Sequence, residues 1–328
     1  MTGLPYFFWP AVFSVVLWMG GLFLPMSAGA RDNSRPCLRV ALLPILDALP
    51  FHVAEARGIF SGLGVETKGI PVASALERDQ MMQSGQIDGM LTEMNTVAAF
   101  NRHGIQVRIV RFARIAYAHY PLFRVLSAPG SAIRTAADLS GAEIAVAKNT
   151  VIEYVADRLL AAKGPGPQHV VKLSVPVIPE RFQLLMQGRI KAAVLPDPLA
   201  RSAMEAGATE VAADSEYPRY GVSVLAFSAR CLREKGRAVR LFLQAWDEAA
   251  GRINAHPEAQ RAVLLRKIPM PENIPGDYGM PPYPRHGVPD REQWADVLKW
   301  MQEKRLLETW VSYEDSVTAA FLESNPPR

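Results

Sequence analysis

Residues 180–191 read ERFQLLMQGRIK, and residues 77–88 read ERDQMMQSGQID. Glu77 and Glu180, Arg78 and Arg181, Gly85 and Gly188, and Ile87 and Ile190 pair at one step of 103 residues (180 − 77), and the apolar Met82 and Leu185 pair with them. Each copy is a helical pattern stopped by a glycine and followed at once by an apolar strand pattern. A chain carrying this small device twice is expected to carry the unit around it twice.

The flanking residues meet that expectation. Around the first copy, residues 38–43 (LRVALL) have the length and apolarity of a buried strand, residues 51–56 form an amphipathic segment closing at Gly58, and residues 65–72 read as a second strand. Ser74-Ala75-Leu76-Glu77 matches the S-x-x-E capping box, in which hydroxyl and carboxylate satisfy free amides at a helix start. The strand 87–91 then ends at Thr92-Glu93-Met94-Asn95, and a helical pattern resumes near Thr96. Around the second copy, residues 143–147 read as a strand, and Thr150-Val151-Ile152-Glu153 is a second capping box. Residues 170–175 are a further strand, Pro179 sits where a first helical turn favours it, and the strand 190–195 runs into Pro196-Asp197-Pro198. Glu77, Arg78, Glu180 and Arg181 fall in first helical turns and read as cap chemistry and surface pairs; the Met residues and Phe182 read as core.

Strands alternating with helices imply parallel sheets covered by helices on both faces, so the two copies predict two α/β lobes. An apolar strand at 221–229, an amphipathic helix at 237–253, a Pro- and Gly-rich loop at 268–289 and helices at 291–302 and 314–322 complete the chain. They have no counterpart in the second copy and are expected to return to the first lobe. Lobe 1 is then 38–124 with 222–328, lobe 2 is 125–221, and the two crossing strands make a hinge. Ligands of open α/β sheets bind outside the carboxyl ends of the strands. Two such edges facing each other form a cleft able to close on a guest.

Composition narrows the function classes. With 328 residues, 49% hydrophobic and 21% charged, the chain is an ordinary globular one. Its net charge is +4, with Lys and Arg scattered, which argues against a nucleic-acid partner. Residues 1–30 contain no Lys, Arg, Asp or Glu and close on Ala28-Gly29-Ala30, the small-x-small ending of a secretory signal peptide. The alternative is an uncleaved membrane anchor, because residues 7–26 approach the length that spans a bilayer. Cleavage and export is the reading adopted. Cys37 and Cys231 either pair in an oxidising compartment or remain thiols. The six histidines lie far apart and no HExxH or CxxC occurs, so neither a metal nor a cofactor is expected.

Four fragments, LRVALLPILDALPFHVAEARGIF, ASALERDQMMQSGQIDGMLTE, TAADLSGAEIAVAKNTVIEYVADRLL and LMQGRIKAAVLPDPLA, stand in this order. Together they resemble the periplasmic solute-binding proteins of ATP-binding-cassette importers, of the nitrate/sulfonate/taurine type that also includes pyrimidine-precursor binding proteins of thiamine salvage. The resemblance spans residues 38–232. It implies a type II periplasmic-binding-protein-like α/β fold, two lobes closing on ligand by hinge bending. It further implies a periplasmic monomer without a chemical step, handing a small solute to a permease and its ATPase subunit.

The family's ligand contacts fall here on Asp47, Phe51, Ser74, Glu93, Asn149, Thr150, Glu153 and Asp197. Anion-binding members suit helix N-termini and neutral or basic donors. Here Asp47, Glu93, Glu153 and Asp197 are acidic and stand near the expected mouth, where two of them facing the cleft would repel a small oxyanion. The expected ligand therefore bears an amine, an amidine or ring N–H donors, as an aminopyrimidine does; Arg181 facing the cleft would weaken that expectation. Each residue also has a local role open to it. Ser74 and Thr150 suit helix caps, Glu153 the box carboxylate, Asp47 the cap of a helix near Pro50, and Asp197 a turn. Glu93 has no capping pattern to occupy it and is the foremost candidate. Two competing functions share the clamp. One is an enzyme, since related folds serve lyases of menaquinone synthesis and a pyrimidine synthase of thiamine synthesis; the other is an extracytoplasmic sensor domain. The export signal and the lack of a nucleophile–base pair oppose the enzyme.

Overall fold

The computed structural model describes residues 37–322 apart from residues 275 and 277; the expected signal peptide lies outside the described residues. In lobe 1, β1 (Cys37–Leu42) leads to α1 (Leu49–Ala56) and α2 (Ile59–Gly62), and β2 (Glu66–Pro71) to α3 (Ala75–Gln83). The strand β3 (Gly89–Thr92) leads to α4 (Met94–Asn101) and then to β4 (Val107–Ile115). The chain crosses to lobe 2 over residues 116–122. There it forms β5 (Phe123–Ser127), β6 (Glu143–Val146), α5 (Val151–Lys163), β7 (Val171–Ser174) and α6 (Ile178–Met186). After β8 (Ala192–Pro196), α7 (Leu199–Glu205) and β9 (Thr209–Ala213), it crosses back over residues 214–221 into β10 (Val222–Ser228). The helices α8 (Ala229–Glu234), α9 (Gly236–Ala255), α10 (Arg261–Lys267), α11 (Arg291–Glu303) and α12 (Tyr313–Ser316) follow.

The repeated motif is the pair α3 and α6, and the same hydrogen bonds end both helices. Gly85 N–H donates to Met82 O (3.1 Å) and Gln86 N–H to Met81 O (2.9 Å); Gly188 N–H donates to Leu185 O (3.0 Å) and Arg189 N–H to Leu184 O (3.0 Å). This closure needs a left-handed residue, and the glycines supply it with φ of 71° and 67°. At the start of α3, Ser74 Oγ accepts from Glu77 N–H (3.2 Å), while the Glu77 carboxylate accepts from Ala73 N–H (2.7 Å), one residue ahead of the cap.

The sheets are built alike. Their strand orders are β2-β1-β3-β10-β4 and β7-β6-β8-β5-β9. The first three strands of each are parallel, and the fourth is antiparallel and arrives from across the hinge. The exchange is reciprocal, because β5 follows β4 but pairs in lobe 2, and β10 follows β9 but pairs in lobe 1. The expected boundary after residue 124 therefore falls inside β5; the chain has changed lobes by Phe123.

Three cores result. One lies under lobe 1, where Phe51 and Phe60 meet Phe242 and Trp246 of α9. A second lies under lobe 2 around Leu185, Leu195 and Ala200. The third joins the lobes through Met94 and Val97 of α4, Tyr154 and Leu159 of α5, and Trp294 and Trp300 of α11. Of the C-terminal helices, α9 and α10 pack on α1, α12 packs on α4 and β4, and α11 packs both on α4 and on α5 of lobe 2. The helix expected at 314–322 ends at Ser316, because Val317 bridges to Ile109 and Thr318 N–H donates to Ile109 O (2.9 Å), drawing the chain out along β4. Cys37 and Cys231 are free thiols. Among the described residues no helix is long and apolar enough to cross a membrane.

Candidate functional site

The loops leaving the carboxyl ends of the strands meet between the lobes. Asn95, just after β3, donates from Nδ2 to the carbonyl of Asn149, just after β6, at 3.3 Å. Asn149 holds a left-handed backbone (φ 65°), uncommon outside glycine, which turns its carbonyl toward the other lobe. Its own N–H donates to the Glu153 carboxylate at 2.7 Å.

Each candidate carboxylate has a basic partner from its own chain. Asp47 lies in a 3₁₀ turn and pairs with the buried Arg114 (3.3 Å), whose other nitrogen donates to Pro121 O in the crossover; Asp47 does not cap a helix. Glu93 starts α4 without a side-chain cap, and Arg78 occupies its carboxylate at 3.1 Å with Thr96 Oγ1 at 3.4 Å. Glu153 receives Lys304 of α11 at 2.7 Å and stands 3.5 Å from Lys172. Burial would raise this carboxyl, but the Asn149 amide and the Lys304 ammonium outweigh it and hold Glu153 below the usual carboxylate range. Asp197 pairs with Arg124 (3.3 Å) and accepts from Tyr278 Oη (3.3 Å).

The remaining candidates divide. Ser74 and Thr150 are helix caps, Thr150 Oγ1 accepting from Ile152 N–H (3.2 Å) and donating to Ala147 O (2.7 Å). Phe51 lies in the core beneath lobe 1, 1% exposed, and is corrected from ligand contact to packing residue. The residues that sequence reasoning misplaces are Arg78 and Arg181. Both are 0% exposed, not surface pairs. A legible signal was present: each arginine stands four residues before a buried apolar partner, Met82 or Leu185, and so shares its inward face.

The twins differ in their electrostatics. Burial would lower the Arg78 guanidinium, but Glu93 and Asp79 outweigh it and raise its pKa. Burial alone acts on Arg181 and lowers it to about 10. Among the described residues no group of three or more His, Cys, Asp or Glu is placed to hold a metal ion.

Two matched lobes, exchanged fourth strands and strand-end loops meeting across the gap define a periplasmic-binding-protein fold of the type II arrangement. Residues 46–260 match the family model described as NMT1/THI5 like, which is more than half of the chain, and the chain belongs to that family. A search of curated protein sequences returns no match. Among solved structures, the chain is similar to the alkanesulfonate-binding protein SsuA from Xanthomonas axonopodis pv. citri bound to MOPS. It is 18% identical to that protein, covers 87% of this chain and 99% of that one, and has a TM-score of 0.72. The periplasmic aliphatic sulphonate binding protein SsuA from Escherichia coli is 17% identical over 87% of this chain and 92% of that one, at a TM-score of 0.72. The desulfurization enzyme DSZB is 16% identical over 88% of this chain and 98% of that one, at 0.64. At these identities the likeness is one of fold, and the fold carries both binding and catalysis.

Proposed function

We propose that the chain is the solute-binding component of an ATP-binding-cassette importer, exported to the periplasm as a monomer. It captures a small organic solute between its lobes by hinge closure and delivers it to a permease and its ATPase subunit. The observation carrying this reading is the contact of Asn95 with Asn149, which brings the strand-end loops of two reciprocally exchanged lobes together. In open α/β sheets that edge is where a ligand lies.

A receptor without a chemical step agrees with the cysteines. Burial pushes the Cys231 thiol up to about 12 and also raises Cys37, so neither supplies a thiolate near neutrality. The ligand class shifts from the sequence expectation. An amine-bearing or pyrimidine-like ligand rested on four acidic residues near the expected mouth, two of them facing the cleft, and all four are ion-paired within the chain. A solute with an acidic or neutral polar group meets less resistance than a cation seeking an unpaired carboxylate.

Mass spectrometry of small molecules released by denaturing the purified protein, paired with X-ray scattering before and after the recovered molecule is added back, tests the reading. A recovered solute that shrinks the radius of gyration and returns chemically unchanged supports it. Conversion of that solute on incubation would replace the receptor with an enzyme.

A further inference from the structure

The doubled arginine shows an asymmetry between the lobes. In lobe 1, Arg78 donates from Nη1 to Leu91 O (3.2 Å), from Nε to Asp79 (2.8 Å) and from Nη2 to Thr96 Oγ1 (3.2 Å), with Glu93 at 3.1 Å. In lobe 2, Arg181 donates from Nε to Val194 O (2.7 Å) and from Nη1 to Val175 O (2.5 Å). Leu91 and Val194 are partners at the 103-residue step, so both guanidiniums hang from the same strand end. At that step, however, Asp79, Glu93 and Thr96 are matched by Phe182, Pro196 and Leu199. Arg181 therefore lacks all three polar partners of its twin. Its Nη2 is buried and unpartnered among the described residues, and no described carboxylate pairs with it.

A buried unpaired guanidinium is costly, and Arg78 shows that this protein neutralises the same group where the fold requires nothing else of it. Val175 and Val194 stand at the carboxyl edge of the lobe 2 sheet, and Val175 N–H donates to Val146 O (2.8 Å), beside the loop that carries Asn149 to lobe 1. The guanidinium is thus at the carboxyl edge of the lobe 2 sheet, the edge from which Asn149 reaches lobe 1.

Resting on the receptor reading, we propose that Arg181 anchors the acidic group of the solute, a carboxylate, sulfonate or phosphate oxygen accepting from Nη2. Lobe 1, with its own arginine already neutralised, closes over the other end of the solute. The anion enters while the lobes are apart, and closure buries the pair where the surrounding dielectric strengthens it.

The test is calorimetric titration of the full chain with acetate, methanesulfonate, inorganic phosphate and methylammonium. At least one oxyanion should bind and methylammonium should not. Pro196→Glu restores the counter-ion that lobe 1 has in Glu93 and should weaken oxyanion binding at least tenfold with the circular dichroism spectrum retained; Arg181→Met should abolish it. Failure of every oxyanion to bind overturns the anchor, as does equal binding by wild type and a folded Pro196→Glu. Closure on methylammonium or a neutral solute alone would remove the anchor and leave the receptor standing. Turnover of an oxyanion that still requires Arg181 would remove the receptor and leave the anchor.

Discussion

At the scale of single residues, Arg78 shows what holds a buried cation in this protein. It takes the Leu91 carbonyl, Asp79, Thr96 and Glu93, and it has no exposed surface. Glu93 is therefore a counter-ion first, and Glu93→Gln should cost about 2 kcal/mol because a buried charge loses its partner. Urea unfolding should show a lower midpoint with the slope unchanged. An unchanged midpoint with lost solute binding would return Glu93 to the ligand. Gly188 tests a second local force. With φ at 67° and no atom within 4 Å of an added Cβ, Gly188→Ala meets only the backbone penalty, about 1 kcal/mol, measurable in the same way.

At the scale of elements, α11 clamps α5. Asp296 accepts from Tyr154 Oη (2.6 Å) and Arg158 Nε (2.8 Å), Asp157 accepts from Trp300 Nε1 (2.9 Å), and Lys304 reaches Glu153 at 2.7 Å. Within this seam Glu153, Asp157, Lys172 and Lys304 form one cluster. Burial would lower both lysines; the carboxylates outweigh it at Lys304, whose pKa is raised, while Lys172 stays lowered. Lys304→Met leaves Glu153 with the more distant Lys172 as its cation. It should weaken the seam by roughly 2 kcal/mol and speed hydrogen exchange in α5 and α11 together. Acceleration confined to α11 would mean that the helix frays without holding the lobes.

At the scale of the whole molecule, Asp214 pins the two crossovers. It is fully buried in the returning segment and accepts from Leu122 N–H (3.0 Å) at the end of the outgoing one and from Phe123 N–H (3.2 Å) at the start of β5. Gly221 lies so close that a Cβ there would fall 1.7 Å from the Asp214 carboxylate, so Gly221→Ala should dislodge the pin and lower the midpoint of thermal unfolding. Burial pushes Asp214 up to about 7 against the lowering by those amides and Arg114; Asp197 adds to the rise. Unfolded, the group titrates near about 3.9. Between these values the native state keeps a proton that the unfolded state has released. Its contribution to stability is complete below about pH 4 and is lost as pH rises toward 7, at up to about 1.4 kcal/mol per pH unit. Asp214→Asn should flatten that part of the stability–pH curve, and parallel curves for variant and wild type would refute the assignment.

The sequence by itself determined the two lobes, the strand–helix order and the bounds of α3 and α6, since caps, glycine stops and apolar period act over a few residues. It did not reveal β4, whose stretch VRIVRFARI carries arginine at 108, 111 and 114 and breaks the apolar run. Arg111 and Arg114 are tolerated inside because Asp247 and Asp47 reach them from 136 and 67 residues away. The same holds for the candidate site residues. Four acidic residues were visible, but only folding brings Arg78, Arg114, Arg124 and Lys304 onto them and leaves Arg181 without a carboxylate partner among the described residues. Charge type is written locally, whereas neutralisation is a matter of distance in space.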